Sequence, residues 1–289
     1  MMSHKELMQR TRKEGFAVGA FNIDNLEIFK AVVAAAKNKK SPVLVEVSKG
    51  EVDFWGHANI VDMVQNARDE GVEIYINLDH SPSVEEARKG VEAGFELIHL
   101  DVTDKGKTSY DDILKMTREF VPYAHEHGCL VEGELEYFAG SSNVHEETID
   151  YEEIKKHFTD PDVAVKFVAD TGIDTFAASI GNLHGLYPVP KKLDIELLKQ
   201  IRAALNCYIS LHGGSGTPPH FFEEAVKVGV SKININSEMR KAFRSGLEQA
   251  LKDNPKEYAV PKIETPVIED IQKVVEAHMD TFGSSGKSA

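Results

Sequence analysis

The chain has 289 residues, 42% hydrophobic and 28% charged, which is ordinary globular usage and enough to bury a large core without crosslinks. Lys and Arg number 33 against 47 Asp and Glu, a net charge of −14, and a field of that sign argues against nucleic-acid partners. The two cysteines, Cys129 and Cys207, exclude a disulfide framework or a Cys-rich zinc module and fit a reducing cytoplasm.

The polar start, MMSHKELMQRTRKEG, lacks a signal-like apolar core, and no apolar run approaches membrane-spanning length. A soluble, cytoplasmic protein without a membrane partner is expected. From there, short apolar runs alternate with amphipathic segments. FAVGAF (16–21) and VLVEV (43–47) come first. Ile60, Met63, Val64 and Ala67 then mark a helical stripe within 58–70. IYINLD (74–79) follows, and Ser83 with Glu86 reads as a capping box opening a helix over 84–93. After ELIHLD (96–101), Ile113, Met116, Phe120 and Ala124 give the next stripe. LVEGEL (130–135) and IDTFAAS (173–179) precede a stripe of Ile195, Leu198 and Ile201. YISLH (208–212) and KININ (232–236) close the series, and a last helix is predicted over 266–281. Residues 283–289 read as a flexible tail.

The eight runs recur about every 31 residues, the size of one strand–helix–strand step. Crossovers of that length imply parallel strands. Eight such units predict an α/β fold, a single (β/α)8 TIM barrel with an additional C-terminal helix. An open doubly wound sheet is the rival, but no G-x-G-x-x-G follows the first strand. No linker divides the chain, so residues 1–289 are expected to form one domain.

In such barrels chemistry sits at the C-terminal ends of the strands. Most of the twelve histidines lie in polar surroundings and need no function. His80, His184 and His212 fall at or just after predicted strand ends, and three imidazoles meeting at one mouth suit a zinc-like ion with open positions. The alternative is that one or two of them only cap strand ends through hydrogen bonds. His99 lies two residues before Asp101 in its strand and reads as an interior, hydrogen-bonded residue rather than a further ligand.

HGGSG (212–216) places three glycines after a strand, where backbone N–H groups can approach an anion. NINSEMR (234–240) runs from the last strand into a helix, whose first amides and Ser237 offer a second anion site. These are the two loops that often bind phosphate in barrels of this kind. Asp79 beside His80 is a candidate acid/base, with a supporting or capping role as the alternative. Glu132 and Glu134 share a face across Gly133, where structural ion pairing is also open. A metal, phosphate-binding amides and a carboxylate in one mouth suit chemistry next to the carbonyl of a phosphorylated sugar. Aldol cleavage and enolising isomerisation both meet that description.

At this point the motifs AVGAFNIDNLE (17–27), NLDHS (77–81), VEGEL (131–135), TGIDTFAASIGNLHGLY (171–187), LHGGSG (211–216) and KININSE (232–238) can be compared as a set. Together and in this order they resemble the class II, zinc-dependent fructose/tagatose-bisphosphate aldolases, from about residue 5 to the end of the chain. The resemblance implies that His80, His184 and His212 ligate zinc or another divalent metal, with Glu134 at the same site. It implies that Asp79 moves the C4 hydroxyl proton. Gly185, Gly213, Ser215, Asn234, Asn236 and Ser237 match segments that hold dihydroxyacetone phosphate and a nearby monovalent cation, Na+ or K+. Asn22 and Ser48 match residues close to substrate, and a homodimer or homotetramer is implied.

The sequence also departs from the family pattern. Where relatives carry an acidic pair in a mobile loop, the aligned positions here are Ser141 and Ser142, which leaves Glu146 or Glu147 to supply loop proton transfer. The loop after the fourth strand, DVTDKGKTSYDD (101–112), is altered, and Ser81 replaces the usual glycine or histidine after Asp-His. Fructose 1,6-bisphosphate is the first expected substrate, then tagatose 1,6-bisphosphate or another phosphorylated ketose. A phosphosugar isomerase or epimerase, and a non-catalytic phosphosugar-binding homologue, are the readings from other classes.

Overall fold

The computed structural model describes residues 2–136 and 140–289. Eight parallel strands close a barrel in chain order. They are β1 Val18–Asn22, β2 Val43–Val47, β3 Ile74–Ser81, β4 Leu97–Leu100, β5 Leu130–Gly133, β6 Thr175–Ala177, β7 Tyr208–Leu211 and β8 Lys232–Ile235. Pairing of β1 with β8 completes the ring and excludes the open sheet. Each strand coincides closely with one predicted run. Several runs extend past the ladder because their last residues, Asp101, Glu134 and His212 among them, turn into the loops of the mouth.

Helices wrap the outside. The helix Val84–Ala93 has the predicted bounds, and Ser83 Oγ accepts the Glu86 N–H at 3.2 Å. The last helix runs Val260–Thr281, six residues longer at its start than the sequence suggested. Pro266 reads as a helix start, yet Pro261 already fits the first turn. Thr265 Oγ1, just before the inner proline, donates back to the Pro261 carbonyl at 2.6 Å. This helix packs against Leu26–Lys39 and Ser237–Asp253. Residues 283–289 carry contacts of their own: Ser284 is buried, and Gly286 and Ser288 donate to the carbonyls of Lys39 and Lys40, each at 2.8 Å. Among the described residues, no helix is long and apolar enough to cross a membrane.

The N-terminal helix His4–Glu14 was not expected from so polar a segment. Ser3 and Glu6 form a capping box, and Leu7 and Met8, both fully buried, plug the lower end of the barrel. They pack on an apolar floor of Val18, Leu44, Tyr75, Leu97 and Leu130. The next inward layer is polar. Lys232 Nζ stands 2.8 Å from both Glu46 and Glu132. Asn77 donates to Glu46 at 2.7 Å, and Ser210 Oγ donates to Glu132 at 2.6 Å. One ammonium cannot neutralise two carboxylates. Burial lifts Glu46 to about 8 against the pull of Lys232. Burial opposes ionisation of Glu132 as well, but Lys232 and His212 together hold it well below the usual range. The layer therefore carries one proton on Glu46 and a fixed negative charge on Glu132, directly beneath the mouth.

Candidate active site

The site begins with a break in β3. Its register with β4 shifts between Leu78 and Ser81, and His80 takes a left-handed φ of 45°. Neighbouring residues of a regular strand face opposite ways. The bulge lets Asp79 and His80 both line the mouth.

Carboxylates fix which nitrogen each ring turns to the mouth. His80 Nδ1–H donates to Asp101 Oδ2 at 2.7 Å, because a carboxylate can only accept. Asp101 is held in turn by the Thr103 hydroxyl at 2.7 Å. His212 Nε2–H donates to Glu132 Oε1 at 2.5 Å. The remaining nitrogens, His80 Nε2 and His212 Nδ1, face each other at 3.1 Å. His184, on the loop after β6, brings its ring centroid to 5.1 Å from His80 and 6.3 Å from His212. His99 Nδ1 accepts the His80 backbone N–H at 3.2 Å, which matches its reading as an interior hydrogen-bonded residue. Its Nε2 lies 3.3 Å from Glu134.

Asp79 is held from two strands: Asn22 donates to Oδ2 at 3.1 Å and Asn234 to Oδ1 at 3.3 Å. Burial opposes its charge, but His80, His99, His212 and Lys232 outweigh it and keep Asp79 ionised. Burial also opposes charge on His80, while Asp79 and Asp101 raise it to about 9. Burial draws His212 down to about 3 against Glu132. It draws His184 down to about 3, with His80 and His212 adding to the effect.

These groups fit a divalent cation. At 3.1 Å the two facing ring nitrogens need a proton or a metal between them; the raised His80 supplies the proton, and a bound cation would take its place. Asp79, His80, His99 and His212 bring candidate ligand atoms within 4.8 Å of one another, as do His80, Asp101 and Glu134. Both Glu134 oxygens are buried without a hydrogen-bond partner among the described residues. Burial, then Asp101, pushes the Glu134 carboxyl well above its ordinary range, a cost that a bound cation relieves. Carboxylate–histidine pairs of the Asp101–His80 and Glu132–His212 kind orient rings towards a metal.

The cleft above holds about 490 Å³. Gly185, Gly213, Ser215, Asn236 and Ser237 line one side, and Asn22, Ser48, Asp79 and Asn234 line it as well. Ser215 Oγ accepts the N–H groups of Asn236 and Glu238 at 3.2 and 3.3 Å, clasping the start of helix Ser237–Asp253. The N–H groups of Gly185, Gly213, Ser215 and Ser237 meet no acceptor among the described residues, so this wall can receive an anion. The other wall includes Asp104, Lys105, Ser141 and Ser142, the altered loops. Arg240 also reaches the cleft, tied to Asp24 at 2.6 Å and Glu51 at 2.5 Å.

Two expected groups are not brought there. Glu146 and Glu147 are exposed and are not among the residues lining the cleft. Glu147 instead accepts from His145 at 2.8 Å, and the His145 ring stacks on Tyr187 with centroids 4.5 Å apart. Sequence reasoning missed the supporting roles of Asp101 and Glu132, although both stood at predicted strand ends. It also missed Lys191, which no motif singled out.

Comparison with known proteins identifies the family and the fold. The family model for class-II fructose-bisphosphate aldolase matches residues 2–287. The chain is 34% identical to a fructose-bisphosphate aldolase of Geobacillus stearothermophilus over 295 residues, covering 100% of this chain and 99% of that one. It is 35% identical to one from Streptococcus pneumoniae over 303 residues, with the same coverage. Among solved structures, the YdjI aldolase from Escherichia coli K12 superposes with a TM-score of 0.84 at 28% identity, covering all of both chains.

Proposed function

The chain belongs to the class-II fructose-bisphosphate aldolase family, and from that membership we propose that its cleft reversibly cleaves fructose 1,6-bisphosphate into dihydroxyacetone phosphate and glyceraldehyde 3-phosphate. It is a metal-dependent lyase acting on a phosphosugar. The finer assignments are our reading: one catalytic domain over 1–289, working in the cytoplasm as a homodimer or homotetramer. Exposed Tyr258 and Val260, at 87% and 61%, favour a further contact surface.

The observation that carries the reading is the facing pair of His80 and His212 beside ionised Asp79, in one cleft with four amides that meet no acceptor among the described residues. We assign zinc to His80, His184 and His212, with Glu134 beside it. When bound, the metal polarises the ketone and steadies the charge left as the carbon–carbon bond breaks. Asp79 takes the proton of the C4 hydroxyl; the C3–C4 bond then breaks and the aldehyde departs. A loop acid, Glu146 or Glu147, returns a proton to C3 once the loop has moved inward. Gly185, Gly213, Ser215, Asn236 and Ser237 receive the phosphate of the three-carbon half, and Asn22 and Asn234 keep Asp79 aimed. Ser48 stands where the sugar chain passes.

Tagatose 1,6-bisphosphate is a second reading, favoured by the altered wall of Asp104, Lys105, Ser141 and Ser142. A coupled triose-phosphate assay with both sugars tests the proposal. Release of triose phosphate from either supports aldol cleavage. Interconversion of sugars without triose release would instead indicate an isomerase or epimerase.

A further inference from the structure

Lys191 is fully buried, beside the exposed Lys192, and the chemistry above does not use it. Its Nζ donates to the carbonyls of Leu183 at 2.6 Å, Gly213 at 2.8 Å, and Ser215. An ammonium has three donors, and here all three are engaged. The acceptors come from two loops, one carrying His184 and the other carrying the Gly213 and Ser215 amides.

These carbonyls converge tightly. Gly213 has a φ of 61°, and a Cβ there would lie 2.3 Å from the Leu183 oxygen. Carbonyl oxygens gathered around one point replace an ion's hydration shell, as in sites for monovalent cations. Without a positive charge among them their dipoles repel. Burial lowers the Lys191 pKa to about 7, with Glu238 opposing. A neutral amine, however, has only two N–H groups and would leave the third carbonyl unpaired.

The family resemblance implied a free Na+ or K+ near these segments. The carbonyls gathered there are filled by a side chain, so they do not fit a free ion. We infer that Lys191 is a built-in monovalent cation, a positioning residue that ties the His184 loop to the phosphate-binding loop and removes any need for Na+ or K+. The inference rests on the proposed phosphate site for its effect on catalysis, but not for the cage itself. Replacing the lysine by alanine keeps the three carbonyls and opens room for an ion.

The test has a binding arm and an activity arm. In the binding arm, thallium(I), a K+ mimic observable by NMR, is titrated into wild type and Lys191→Ala in buffer whose only other monovalent cation is tetramethylammonium. Wild type binds no Tl+ at this cage, and the variant binds one per chain. In the activity arm, wild-type cleavage is unchanged when KCl replaces tetramethylammonium chloride. Lys191→Ala shows a KM for the sugar bisphosphate raised about tenfold, the equivalent of one lost charged contact. K+ or NH4+ lowers it again in a saturable way. Saturable Tl+ binding at the wild-type cage, or saturable K+ activation of wild type, overturns the inference. So does a folded variant that neither binds Tl+ nor responds to K+. If Lys191→Ala does not fold, the wild-type arms still decide. Absence of cleavage with the expected Tl+ result defeats the aldolase reading and leaves this one standing.

Discussion

His80 Nε2 and His212 Nδ1 face each other at 3.1 Å, each ring turned that way by a carboxylate on its other nitrogen. With the extra proton of His80 displaced, the pair turns two lone pairs to one point in the mouth of the barrel, beside Asp79 and His184, and Asn234 also donates to His212 Nδ1 at 3.2 Å. The acidic setting of Asp79, Asp101 and Glu132 favours positive charge at that point, whether proton or metal.

Replacing Asp79 by asparagine keeps one of the two oxygens that accept from Asn22 and Asn234 and removes the proton acceptor. The expected result is a kcat lower by about 10²–10⁴-fold, the usual worth of a positioned acid/base. Metal content and the KM of the sugar bisphosphate should change little. Equal loss of metal and turnover would instead make Asp79 part of the metal's support.

Glu132→Gln removes the charge that aims His212. A weakening of metal affinity by about 10–100-fold is expected, the usual effect of losing such a partner. Competition with a chromophoric chelator reads it. Unchanged affinity would mean that His212 is oriented by other contacts.

In the metal-free protein, the joint contribution of His80, His184 and His212 to stability should peak near pH 6.5. His184 and His212 drop from 6.5 to about 3 in the fold. Their contribution is present above pH 6.5 and is lost as pH falls towards 3. His80 rises from 6.5 to about 9. Its contribution is present below pH 6.5 and is lost as pH rises through 9. Each unmatched proton changes stability by about 1.4 kcal/mol per pH unit. Glu46, raised from 4.5 to about 8, adds a fall of its own over this range. The check is therefore the difference in denaturant midpoint between chelated wild type and chelated His80→Gln, which should shrink as pH rises through 9; a difference that grows instead would contradict it.

The double variant Glu146→Ala, Glu147→Ala should exchange the C3 proton of dihydroxyacetone phosphate with solvent far more slowly, at unchanged metal content. Deuterium exchange followed by NMR measures this step directly. Full exchange and full turnover would remove both residues from the proposal.

Much of this was legible in the sequence because barrel strands are buried on both faces, so each reads as a short apolar run at a regular interval. Asp79, His80 and His212 could be singled out because strand ends of a barrel all face one mouth. The bulge at His80 could not be read, since nothing in Asp-His-Ser announces a register shift. Glu46 and Lys232 each look misplaced in an apolar run; only closure of the ring brings them to 2.8 Å. The N-terminal plug was hidden by a narrow apolar stripe, Leu7 and Met8, in a polar segment, although Ser3 and Glu6 gave a capping signal. Lys191 was hidden most fully. Pro-Val-Pro-Lys-Lys reads as a surface turn, and the carbonyls that receive Lys191 have no side-chain signature.

The most direct test of the account is cleavage of fructose 1,6-bisphosphate by purified protein before chelation, after chelation, and after return of Zn2+, with His184→Ala run alongside. The account predicts triose phosphate release that chelation abolishes and Zn2+ restores, and a variant that neither retains metal nor cleaves. Undiminished cleavage by metal-free protein, or by metal-free His184→Ala, would contradict it.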